Sequence, residues 1–95
     1  LDFKNQIKII SLIKKLSKID NISVIINTHY PTHALEVADK CLMLMHNGRH
    51  KIGKISDIIC KGNMKEAFSV EVILEKIKKD KNEYNTIIPI SIVGD

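Results

Sequence analysis

The run Ile22-Ser23-Val24-Ile25-Ile26-Asn27 constrains this 95-residue chain more than any other feature. Five residues, four of them apolar and β-branched, precede a polar Asn in a segment too short for a stable helix. Such a run reads as a strand covered on both faces, the pattern of a parallel sheet. The residues before it are helical by period. Ile7, Ile10, Ile13 and Leu16 recur every three residues, Ile9 and Leu12 widen the stripe, and Lys4, Lys8, Lys14 and Lys15 occupy the other side. Asp2 stands where it can cap the first turn, and the helix is expected to end between Ser17 and Asp20. A helix leading into a doubly buried strand places the chain in the α/β class.

Beyond Asn27 the order continues. Pro31 suits the first turn of a helix over Pro31 to Ala38, with Ala34, Val37 and Ala38 on its apolar side. Cys41 to Met45 reads as a second buried strand. Asn47-Gly48 is a tight-turn signal, because both residues tolerate positive φ, and a strand near Arg49 to Gly53 completes a hairpin. Ser56 to Ile59 and Met64 to Phe68 read as short helices. Val70, Val72 and Leu74 suggest a strand, Glu75 to Glu83 reads as a polar, exposed stretch, and Ile87 to Val93 as a last strand. A strand buried on both faces needs neighbours on both edges, and the chain offers few others of that kind. Together with a start at Leu1 directly ahead of an amphipathic helix, this predicts a segment of a larger domain.

Composition narrows the function classes. With 44% hydrophobic and 27% charged residues, the chain is ordinary globular material rather than a disordered one. No apolar run approaches the ~20 residues of a membrane span, and Asp2 and Lys4 interrupt any signal-peptide core. The net charge of +4 comes from lysines spread over many segments, with a single Arg and four aromatics. Nucleic-acid readers rely on arginine forks and stacking rings, so no nucleic-acid partner is expected. Cys41 and Cys60 show no pairing pattern and fit a reducing cytosol.

His29 is the first candidate for chemistry. Ligands of open α/β sheets lie beyond the carboxyl ends of the strands, where Thr28-His29 falls. An imidazole there can donate a hydrogen bond to a phosphate oxygen. The same position also suits a histidine that merely finishes a strand and starts a helix. His29-x-x-x-His33 lacks the intervening Glu of zinc proteases, having Tyr30 in its place, and Pro31 starts a helix between the two. Cys41, His46, His50 and Cys60 lack compact ligand spacing, and no metal site is expected among them.

The stretch Asn27-Thr28-His29-Tyr30-Pro31-Thr32-His33-Ala34-Leu35-Glu36-Val37-Ala38-Asp39-Lys40-Cys41-Leu42-Met43-Leu44 resembles the switch-histidine region of ABC ATPases. In that family a strand ends in Thr-His, a helix closes on Ala-Asp and a basic residue, and a strand and a Gly-containing turn follow. Asn47-Gly48, Gly53 and Ile55 to Ile59 match the turn, the second glycine and a short helix. The resemblance runs from Leu1 to about Val72, and the His-Tyr-Pro-x-His-Ala wording is similar to the iron-siderophore and cobalamin import branch.

The resemblance implies the C-terminal part of a P-loop NTPase domain, with helix, buried parallel strand, helix, strand hairpin and a small C-terminal subdomain. It divides the chain into a nucleotide-binding-domain portion, residues 1–72, and a tail, 73–95. His29 would contact the γ-phosphate of ATP, Thr28 would orient its loop, and Leu1 and Asp2, as the close of the D-loop, would lie at a dimer interface. Asp39 matches a family position and reads as structural. Partners would be a second ATPase subunit and a transmembrane permease, with ATP and Mg²⁺ as cofactors and a cytoplasmic location at the inner face of the membrane. No G-x-x-x-x-G-K-[ST] loop and no Asp-Glu pair after a strand occur in the 95 residues, so the chain alone is expected to be inactive. Two other readings stay open: a free-standing, non-catalytic α/β interaction module, and an ABC ATPase in a non-transport role.

Overall fold

The computed structural model describes residues 2–94. Helix α1 spans Phe3–Lys14 and starts as its sequence dictates, with the Asp2 carboxylate accepting the Asn5 amide at 2.8 Å. It widens into one π-helical turn, Lys15–Ile19, and Asn21 follows at φ 58°, a left-handed stop that asparagine tolerates. Helix α2, Pro31–Val37, has Pro at its first turn, where no amide donor is needed.

Strands β1, Lys40–Leu44, and β2, His50–Lys54, pair antiparallel with Leu44 opposite His50 and Cys41 opposite Gly53. The turn between them has Asn47 at φ 62°, ψ 31° and Gly48 at φ 72°. These are the left-handed values that match the twist of a hairpin, and they explain why this dipeptide stands here. Gly53 has a packing reason instead: a Cβ there would sit 3.4 Å from the Ile58 side chain. Helix α3, Ile55–Ile58, and helix α4, Lys61–Phe68, follow. Strands β3, Val70–Lys79, and β4, Asn82–Ile92, form a second antiparallel hairpin, with a bulge between Glu71 and Val72.

The core is built from Met43 and Met45 at β1, Ile58 and Ile59 at α3, Met64 of α4 and Val72 of β3. Leu35 of α2, Cys41, Ile55, Ala67, Val70, Leu74 and Ile87 pack around it. Alternation on β1 turns Met43 and Met45 inward and leaves Leu42 and Leu44 in solvent. Among the described residues Asn63 is the buried polar one. Its Nδ2 donates to the Ile58 carbonyl at 2.8 Å, and its Oδ1 accepts from Lys51 Nζ at 2.8 Å.

Two sequence expectations are corrected. Residues 22–27 are not a buried parallel strand: the segment has no regular structure, and Ile25 is 99% exposed. Among the described residues no strand pairs with it, so its backbone lacks the ladder that would make it one. The polar stretch Glu75 to Glu83 is exposed but is strand through most of its length. Cross-strand pairing holds it, with Ile77 opposite Tyr84 and Lys78 opposite Glu83, whose charged ends lie 3.6 Å apart. Asp80, at φ 57°, makes the reversal. Strand β3 runs without interruption through residues 72 and 73.

Candidate functional site

The site is a bend at the end of the unpaired segment. Thr28 Oγ1 accepts the Tyr30 amide at 3.0 Å, closing a short turn that has His29 at its apex. Tyr30 then caps α2: its carbonyl accepts the amide of His33 at 3.0 Å. Pro31 fixes φ at the helix start. His29 is thus tethered on both sides by its neighbours while its own ring is exposed. Among the described residues that ring has no hydrogen-bond or ion-pair partner, so both nitrogens are open to a ligand.

Two hollows flank the bend. An open groove of about 1030 Å³ runs between residues 22–29 and β1, with Ile13, Ala34, Val37 and Phe68 among its walls. A smaller one, about 300 Å³, lies between α1 and residues 26–33. The large groove separates the apolar run from the outer edge of β1, the two edges that a sheet would need to join. His29 lines the groove.

Sequence reasoning placed the site at Thr28-His29, and the geometry brings those two together. Asp2 is spent locally. Its carboxylate holds the first turn of α1 through the Asn5 amide and, at 3.4 Å, Asn5 Nδ2. Among the described residues it makes no hydrogen bond or ion pair with His29. Leu1 lies outside the described residues. Asp39 accepts from Lys18 Nζ at 3.0 Å, and its carbonyl accepts the Ile55 amide at 3.0 Å, a structural tie between the first helix, β1 and α3. Sequence reasoning did not couple Tyr30 to His33. Their ring centroids lie 5.2 Å apart at 45°, and the signal was their spacing of three at a helix start.

Burial raises the Cys41 thiol above its usual range, which keeps it protonated and suits a core role. Among the described residues no helix is long and apolar enough to cross a membrane.

A solved structure titled as an inward-facing conformation of a transporter assigned to the metal-chelate ABC type superposes on 96% of this chain with a TM-score of 0.87, at 24% identity. The fold is that of part of an ABC-transporter ATPase domain. The superposition takes in 36% of that chain. By sequence, the chain is 24% identical over 90 residues to the molybdate import ATP-binding protein MolC of Haemophilus influenzae, covering 95% of this chain and 35% of that one. It is 31% identical over 78 residues to an uncharacterized ABC transporter ATP-binding protein of Methanocaldococcus jannaschii, covering 82% of this chain and 30% of that protein. No family model matches. The chain therefore spans about a third of the length of the relatives it matches, and these relatives point to the ATP-binding subunits of ABC transporters.

Proposed function

We propose that this chain is the switch-histidine portion of the ATP-binding subunit of an ABC importer, and that His29 contacts the γ-phosphate of ATP. The observation that carries the reading is the placement of His29: exposed, tethered on both sides, and at the carboxyl end of an apolar run that borders an open groove. A strand laid in that groove parallel to residues 22–27 would end beside His29. Phosphates in open parallel sheets bind at such an end.

In this reading the His29 imidazole donates a hydrogen bond to a γ-phosphate oxygen and holds the attacking water in line. Phosphoryl transfer depends on electrostatic positioning of this kind. Thr28 keeps the bend closed while charge develops. The α- and β-phosphates and Mg²⁺ are held by residues outside these 95, so the chain alone does not turn over ATP. Asp2, beside Leu1, closes the D-loop and faces the second ATPase subunit. The segment 1–72 belongs to the nucleotide-binding domain, and 73–95 is its C-terminal tail. The subunit works at the cytoplasmic face of the membrane against a permease.

Its cargo is a metal-bearing solute such as an iron-siderophore. Support for that class comes from the names of the relatives, one a molybdate importer and one of the metal-chelate type. ATP binding and turnover by the complete subunit carrying His29→Ala test the proposal. Hydrolysis is expected to be lost with binding largely retained; turnover at the wild-type rate would remove His29 from the reaction.

A further inference from the structure

We infer that His33 is a positioning residue for His29, acting through the ring of Tyr30. This deepens the reading of His29 as the phosphate contact and rests on it for its functional consequence.

The argument follows the chain through the bend. The Thr28 hydroxyl fixes the Tyr30 amide at 3.0 Å, and the Tyr30 carbonyl is fixed by the His33 amide at 3.0 Å. Two successive backbone anchors thus fall on Tyr30, next to His29. Yet the Tyr30 side chain is 65% exposed, and a ring so placed would ordinarily sample several rotamers. Here it rests against the half-buried His33 ring, with centroids 5.2 Å apart and a 45° tilt, within the range of favourable aromatic pairs.

His33 is itself half-buried. It lines the smaller cavity together with Ile9, Ile10 and Ile13 of α1, and with Thr28 and Tyr30 on the opposite wall. The imidazole therefore stands between α1 and the bend. A residue without a ring at position 33 would leave the Tyr30 ring without the His33 ring to rest on. The bend would then be held only by its backbone anchors, the Tyr30 amide on the Thr28 hydroxyl and the His33 amide on the Tyr30 carbonyl, with the Tyr30 ring free to turn. Helical spacing explains why two rings three residues apart meet; it does not explain why both also border the hollow between α1 and the bend.

Two measurements test this, and they fail separately. In the ¹⁵N-labelled complete subunit, heteronuclear NOE values report the order of the His29 amide. His33→Ala and Tyr30→Ala should both lower the His29 value while leaving Met43, in the core, unchanged. His33→Phe, which keeps a ring, should restore it. An unchanged His29 value in both alanine variants would overturn the inference. So would a drop at Met43 equal to that at His29, in His33→Ala and His33→Phe alike, because it would report general loosening. In the complete subunit His33→Ala should lower kcat about two- to tenfold, the span that corresponds to one aromatic pair, with KM for ATP unchanged and with rescue by phenylalanine. Loss of His29 order with turnover intact would support the clamp and overturn the phosphate role of His29.

Discussion

Replacing Asn63 with alanine is expected to lower stability by about 1–2 kcal/mol, for reasons that can be added up bond by bond. Asn63 is 7% exposed and sits in the first turn of α4. Its backbone amide reaches Cys60 Sγ at 3.5 Å, and that contact survives the change. What disappears is the 2.8 Å bond from Nδ2 to the Ile58 carbonyl and the 2.8 Å bond from Lys51 Nζ to Oδ1. The Ile58 carbonyl is not orphaned, because the Cys60 amide still donates to it at 3.1 Å. Its loss therefore costs about 1 kcal/mol, the low end for a buried group. Lys51 is exposed and keeps Glu66 at 3.5 Å, so its share is a few tenths at about the level of a surface contact. The cavity left by the amide adds about 1 kcal/mol, and alanine's better helix propensity returns about 0.5 kcal/mol. For a domain of this size the net corresponds to a fall of about 4–16 °C in Tm. Thermal unfolding followed by circular dichroism measures it. Asn63→Asp keeps an acceptor for Lys51 but turns an oxygen towards the Ile58 carbonyl, and should be no more stable than the alanine variant. A Tm within about 2 °C of wild type for Asn63→Ala, below the shift worth 1 kcal/mol, would refute the reasoning, as would a clearly more stable aspartate.

Two further outcomes follow from single groups. Gly48→Ala should destabilise the β1–β2 hairpin by about 1–2 kcal/mol, the cost of a Cβ in the left-handed region, since Gly48 stands at φ 72° with no steric neighbour to complicate the result; urea titration measures it. Cys41 should react with a thiol reagent more slowly than a small-molecule thiol near neutral pH, because burial raises its pKa above 9.0. The sign for stability is that the unfolded thiol loses its proton first, so this group's contribution is intact below about pH 9 and declines above it.

The sequence was legible where a backbone or chemical constraint admits few residues. Asn47-Gly48 announced a turn because few residues accept positive φ, and Pro31 announced a helix start because the first turn spares its missing amide. Thr28-His29 was legible through its place after an apolar run and through the family resemblance. The fate of Ile22 to Asn27 was not, because apolar pattern records that a segment tends to be covered and not what covers it. Strand β3 was read short for the opposite reason. Lys and Glu on Glu75 to Lys79 suggest exposure, and exposure is true, but cross-strand pairing rather than burial makes that stretch a strand. The start of α4 was missed because Cys60, an unusual cap, and Gly62 disguise it. The Tyr30–His33 contact needed coordinates, since spacing alone does not fix where two rings point.

Helix α1 contributes no residue to the core or to the apolar side chains around it. Phe3 is 84% exposed and Ile7 67% exposed. Besides the isoleucines that border the smaller hollow, it is tied to the rest by the ion pair of Lys14 with Glu36 at 2.8 Å and, through the π-helical turn that extends it, by Lys18 with Asp39 at 3.0 Å. Solvent-accessible pairs of this kind stabilise less as salt rises, whereas packed methionines and isoleucines are left untouched. The chain therefore holds two units of unequal persistence. The hairpins and α4 are expected to exchange their amide protons by global opening, and α1 in a shallower event that raised salt makes easier, which hydrogen exchange at low and high ionic strength measures.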